Sequence, residues 1–113
     1  MRDDRLRLED IQDAIGQIAK YTQRDRQAFD EDELVRVWVL HHLEIIGEAC
    51  RGLSEGFRHS HPDEIWSDAI SFRNVLVHQY FGIDYQAVWV VVERDLPVLK
   101  QKVRDLLSQS ESG

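Results

Sequence analysis

Cysteine is almost missing from this 113-residue chain: Cys50 stands alone, so no disulfide can close within one molecule. It falls in a helical apolar pattern and reads as a small core residue rather than a nucleophile. Two prolines and six glycines leave few breaks and tilt the composition toward helix. No apolar run approaches the roughly 20 residues needed to cross a bilayer. The opening MRDDRLRLED is too charged for a signal peptide, so a cytoplasmic protein with no membrane partner is expected. Excess positive charge is also lacking. A net charge of −7 argues against a broad basic surface, and DNA is not expected as a partner. It leaves room for a local cleft in which a few cations meet a phosphodiester. No glycine-rich phosphate loop, Cys/His zinc pattern or Gly-x-Ser-x-Gly elbow occurs, which excludes the familiar nucleotide-hydrolysing sites.

What the chain does have is helical periodicity. Leu8, Ile11, Ile15 and Ile18 recur at three- and four-residue steps and predict a helix over about 3–22. A second helix is expected from Asp30, as N-cap with Glu33 three residues on, to Leu53. It is apolar over a wide arc, which suits a central helix or one that also meets a partner chain. Gly47 within it would let a neighbouring helix come close. Residues 54–61 read as a loop, and Pro62 suits the first turn of a third helix. That helix's inward stripe would be Ile65, Ala69, Phe72 and Leu76, with Gly82 as its breaker. Asp84 should cap a fourth helix that kinks or splits near Pro97. Val88-Trp89-Val90-Val91-Val92 could pass for a strand, but its flanks are helical and it has no partner strand. The expected fold is all-α, an antiparallel up-and-down bundle of four to five helices. One domain should span 1–113, with an ordered core over about 3–108 and a frayed tail at 108–113.

Most polar candidates have plain structural readings. His59 and His61 fit surface loop residues, since their spacing matches no metal pattern and no metal site is expected. His41 and His42 point about 100° apart on a helix and cannot chelate one ion. His41 has Glu44 and Glu48 at helical spacing, which suits surface hydrogen bonds. Glu48 interrupts an apolar stretch; it either faces solvent or needs a buried partner.

The stretch SFRNVLVHQYF, residues 71–81, is different. Arg73, Asn74, His78 and Tyr80 fall within eight positions of an otherwise apolar helix end. Arg73 and Tyr80 lie almost on one line of a helix, and Asn74 and His78 on another. Arg73 and His78 are about 140° apart, so they converge poorly on a straight helix. They could converge if the helix unwinds near Gln79, or if a second copy brings its own pair opposite. Histidine moves protons near neutral pH, and arginine offers a fixed fork to phosphate oxygens. Such a set could activate an RNA 2′-hydroxyl and stabilise its attack on the adjacent phosphate. An arginine ion pair and a histidine at a helix end would explain the same spacing.

Arg73, four residues, His78, one residue and Tyr80 resemble the Arg-x4-His-x-Tyr motif of HepT-like toxins, within the HEPN superfamily. Asn74 fits too. Ile46-Gly47-Glu48-Ala49, His61-Pro62, Ile65-Trp66, Phe81, Asp84, Val88-Trp89 and Leu96-Pro97 follow in the family's order, so the similarity covers most of residues 5–105. The resemblance implies a HEPN-like helical homodimer acting as a metal-independent endo- or exoribonuclease on RNA such as tRNA or mRNA. Arg73 and His78 would be the catalytic pair, supported by Asn74 and facing a second copy across the dimer cleft. It also implies a toxin–antitoxin pair of type VII kind. The partner would be a minimal nucleotidyltransferase antitoxin, MntA-like, that transfers AMP from ATP to Tyr80. No cofactor of the chain's own is implied. The alternative is a non-catalytic helical binding subunit of a nucleotidyltransferase complex.

Overall fold

The computed structural model describes residues 2–23 and 26–112, with the side chains of Arg2, Tyr80 and residues 110–112 excepted. Helix follows helix among these residues, and no strand occurs. The long helices are α1 (Arg2–Thr22), α3 (Glu33–Gly52) and α5 (Glu64–His78). The short α2 (Gln27–Glu31) and α4 (Glu55–Ser60) join them. A last rod consists of α6 (Tyr85–Val90), a π-helical segment (Val91–Asp95) and α7 (Leu96–Ser112). The expected all-α bundle is therefore present. Residues 88–92 are helical despite four β-branched valines, because Val88 and Trp89 are buried in the core.

α1 packs on α3, α3 on α5, and α1 on α7. Side-chain contacts give their directions. Trp38 Nε1, early in α3, donates to Gln17 O late in α1 at 2.7 Å. Asp4, at the start of α1, accepts from Ser54 N and Oγ, just past α3, at 2.7 and 2.8 Å. The two helices thus run antiparallel. The core they share includes Ile11, Ile18, Val39, Ile46 and Cys50, with Phe29, Val88 and Val103 closing it. Burial pushes the Cys50 thiol up to about 12, partly offset by Arg58, so it is an inert core residue as expected.

Several boundaries differ from the sequence-based expectation, and each difference has a short-range cause. Asp30 does not cap the long helix. It lies inside α2, where both carboxylate oxygens sit 3.3 Å from Arg26 Nε. Asp32 takes extended backbone instead and accepts from Leu34 N at 2.9 Å. Arg36 then donates to Phe29 O and Asp30 O at 3.1 and 2.7 Å, tying the end of α2 onto α3. Residues 54–61 are not a loop: Ser54 accepts from Phe57 N at 3.0 Å and starts α4. Pro62 stays outside the third long helix because Asp63 is the N-cap, accepting from Ile65 N at 3.0 Å. α7 is helical as far as Ser112, past the expected fraying point.

Gly82 does not end α5 through a left-handed turn, since no described residue has a positive φ. Gln79 leaves the helix at φ −119°, ψ 35°, and the 3₁₀ turn Tyr80–Gly82 follows. Asp84 caps the next helix as expected, accepting from Gln86 N and Ala87 N at 3.0 and 3.2 Å. The expected break near Pro97 takes the form of a widened, π-helical turn. Leu96 N–H bonds to Val91 O, five residues back, immediately before the residue that has no N–H to give.

Candidate active site on the third long helix

The first half of α5 is anchored. Trp66 is 2% exposed and donates its indole N–H to His61 O at 3.0 Å. Lys102 of α7 reaches the Asp63 carboxylate at 2.9 Å. The bond from Ile65 N, then the one from Lys102, hold the Asp63 carboxyl below the usual carboxylate range. The expected inward stripe is only partly right. Leu76 is buried, but Ile65, Ala69 and Phe72 are half-buried and Trp66 takes the deep position. They line an open groove on which α7 does not close.

The second half presents the motif. Gly47 on α3 faces Arg73 directly. A Cβ there would meet the Cβ of Arg73, come within 2.8 Å of its Cγ and lie 2.9 Å from Ala69 O. The glycine therefore sets the close approach of α3 and α5 at this point. The Arg73 side chain, 25% exposed, leaves that crossing with its guanidinium held at two corners. Nη2 is 3.4 Å from Glu48 Oε2, and Nη1 donates to Asn74 Oδ1 at 3.2 Å. Its Nε is buried with no hydrogen-bond partner among the described residues. Glu48 is thus the surface-facing residue of the two readings open in the sequence, and its partner is Arg73.

His78 is exposed in the last turn of α5. Side-chain contacts within one chain join Arg73 to Asn74 and Glu48, and no hydrogen bond joins His78 to Arg73 among the described residues. The helix does end at Gln79, the point where unwinding was expected. The Tyr80 side chain lies outside the described residues. Val75, Val77 and Phe81 around the motif are exposed.

His41, His42 and His61 have structural contacts, and His59 is exposed. His42 is buried, with Nδ1 2.8 Å from Trp38 O and its ring 4.4 Å from the Trp38 ring. His41 meets His42 edge-on at 5.1 Å, and the hydrogen bonds expected to Glu44 or Glu48 do not form among the described residues. His61 stacks on Phe57 at 4.6 Å.

An all-helical bundle with an Arg-x4-His pair at one helix end defines a class, and comparison with known proteins agrees. The family profile of Ribonuclease HepT-like proteins matches residues 11–106. "Putative RNase MJ1380" of Methanocaldococcus jannaschii is 37% identical over 103 residues, covering 90% of this chain and 94% of that protein. "Probable ribonuclease HepT" of Thermococcus cleftensis is 36% identical over 102 residues, covering 88% and 91%. "Putative RNase TTE0752" of Caldanaerobacter subterraneus subsp. tengcongensis is 31% identical over 83 residues, covering 74% of each. No solved structure matches the chain. The chain belongs to the HepT-like ribonuclease family.

Proposed function

We propose that this protein is a HEPN ribonuclease that cleaves RNA with Arg73 and His78. The observation that carries the reading is the Gly47–Arg73 crossing, which plants a guanidinium at the surface a few residues before an exposed imidazole. His78 takes the proton of a ribose 2′-hydroxyl as general base. The freed 2′-oxygen attacks the adjacent phosphorus, a P–O bond to the next nucleotide breaks, and the leaving 5′-oxygen takes up a proton. The products are a 2′,3′-cyclic phosphate and a 5′-hydroxyl. Arg73 stabilises the charge that builds on the phosphorane oxygens, a task for which no metal is required in this scheme. Glu48 and Asn74 hold the guanidinium until phosphate competes for it.

Since Arg73 and His78 are about 140° apart around the helix and share no hydrogen bond among the described residues, the working site would be a cleft between two copies. Val75 and Val77 supply exposed apolar surface beside it. In the same reading the chain is a toxin, and a nucleotidyltransferase antitoxin silences it by moving AMP from ATP to Tyr80. Phosphate carried by Tyr80, in the turn that follows α5, would bring negative charge to the end of the helix that holds Arg73. The test is cleavage of total cellular RNA by purified protein, together with growth on expression. Cleavage and growth arrest that both vanish in His78→Ala are expected; an equally toxic His78→Ala overturns the mechanism. Tight binding to the transferase without RNA cleavage would instead favour the non-catalytic subunit. Incubation with transferase and ATP should add AMP mass to the Tyr80 peptide.

A further inference from the structure

A groove of about 730 Å³ lies between the end of α1 and the π-helical segment. Among the described residues three cations line it, Arg26, Arg94 and Lys100, against one carboxylate, Glu93. That carboxylate is occupied, accepting the Trp89 indole N–H at 3.1 Å. Arg26 spends its Nε on Asp30, which leaves its two terminal nitrogens. Arg94 and Lys100 make no ion pair among the described residues. The walls beside them are apolar, including Val90 and Pro97.

The concentration of positive charge is local. The groove on the other face of the same rod is lined by Asp63, Glu64, Asp68 and Asp95 and, among the described residues, by no cation. Arg94 lines this groove and its neighbour Asp95 the other, since consecutive helical residues point about 100° apart. The π-helical segment that carries both is of a kind that recurs at functional sites. In a chain of net charge −7, three cations gathered in one concavity need a reason.

We infer that this groove binds the phosphates of an RNA strand, as a second contact apart from Arg73. Its place in the bundle suits that role. The end of α1 lies beside the start of α3, as the bond from Trp38 to Gln17 shows. Tyr85, seven residues past His78, meets the Phe29 ring at 6.2 Å and lies 5.3 Å under the Arg36 guanidinium at the start of α3, so the chain leaving α5 comes to that same end of the bundle. A strand held by Arg94 and Lys100 would be confined to the end that carries the motif. The ligand's identity rests on the RNA reading proposed above.

The test uses full-length His78→Ala protein, which reads binding without cleavage, and a fluorescent single-stranded RNA titrated at several salt concentrations. Adding Arg94→Ala and Lys100→Ala should weaken binding at least tenfold. It should also make the slope of log affinity against log salt shallower by about 0.7 per lost phosphate contact. Arg51→Ala, an exposed cation on α3 that does not line the groove, should change neither. An unchanged slope in the double variant, or an equal change in Arg51→Ala, overturns the inference. So does AMP alone binding as tightly as the strand, which would make the groove a mononucleotide site. Wild-type cleavage with an unchanged slope sinks the groove and spares the ribonuclease. A slope change without wild-type cleavage does the reverse.

Discussion

The two halves of α5 are built for different ends. The first half is capped by Asp63, bridged to α7 through Lys102 and filled by Trp66. The second has one buried residue, Leu76, with Phe72 and Arg73 half-buried and the remaining side chains outward. Val75, Val77 and His78 face solvent, and Arg73 is held only by its crossing with Gly47 and by polar neighbours. A helix that served only the bundle would spread its apolar contacts along its length. Here the anchored half fixes the position of a half whose own groups remain available. Changes in the first half should therefore cost stability, and changes in the second should cost chemistry.

The largest effects test this division directly. Trp66→Ala should destabilise the fold by about 3–5 kcal/mol, read by urea denaturation, because a large buried aromatic leaves a cavity. His78→Ala should leave the urea midpoint unchanged and lower RNA cleavage by about 10²–10⁴-fold, the range for a lost general base. If His78→Ala shifts the midpoint as Trp66→Ala does, the two halves are not distinct.

Gly47→Ala probes the boundary between them. Alanine improves helix propensity by about 1 kcal/mol. Its Cβ would overlap Arg73 and crowd Ala69 O, which is backbone and cannot swing aside. Overpacking of this kind costs about 1–3 kcal/mol, so the net change in stability should be modest. Cleavage should fall further, by about 10²-fold, because a shift of about 1 Å at Arg73 misplaces the guanidinium. A variant that loses stability and cleavage in the same proportion would show that Gly47 serves packing alone.

Much of this was legible in the sequence. Leu8, Ile11, Ile15 and Ile18 recur at helical steps and are all buried, because a buried face imposes that period. Gly47 signalled a close approach, and Arg73, Asn74, His78 and Tyr80 stood out as polar groups in an apolar run. The pairing of Glu48 with Arg73 was not legible, because it depends on how α3 crosses α5. Asp4 was missed for the same reason. It lies fifty positions before Ser54, and only the antiparallel packing of α1 and α3 brings the two together. The caps were misjudged by one or two residues wherever several acidic residues competed. Asp30, Asp32 and Glu33 all suit a helix start, and the choice fell to Asp32 once Arg26 had engaged Asp30. Trp66 rather than Ile65 took the deep position, while Ile65, Ala69 and Phe72 border the open groove between α5 and the last rod.

The smallest effect lies at the anchored end and has a definite sign. Two hydrogen bonds hold the Asp63 carboxyl below the usual range, so its charged form favours the folded state. The contribution is fully present above the unfolded carboxylate range and is lost as pH falls through the lowered folded value. Asp63→Ala removes both the cap and the Lys102 bridge, and should cost about 1 kcal/mol at pH 7. Asn caps as well as Asp, so Asp63→Asn should keep most of that stability while losing the bridge and the pH dependence. Denaturation at pH 7 and pH 3 separates the two contributions. The gap between wild type and Asp63→Asn should be a few tenths of a kcal/mol at neutral pH, as for an exposed ion pair, and narrow in acid. RNA cleavage by Asp63→Asn should match wild type, because the cap sits ten residues before Arg73. A cleavage defect in Asp63→Asn with normal stability would mean that the bridge to α7 also sets the position of the motif, and the division within α5 would fail from its anchored side.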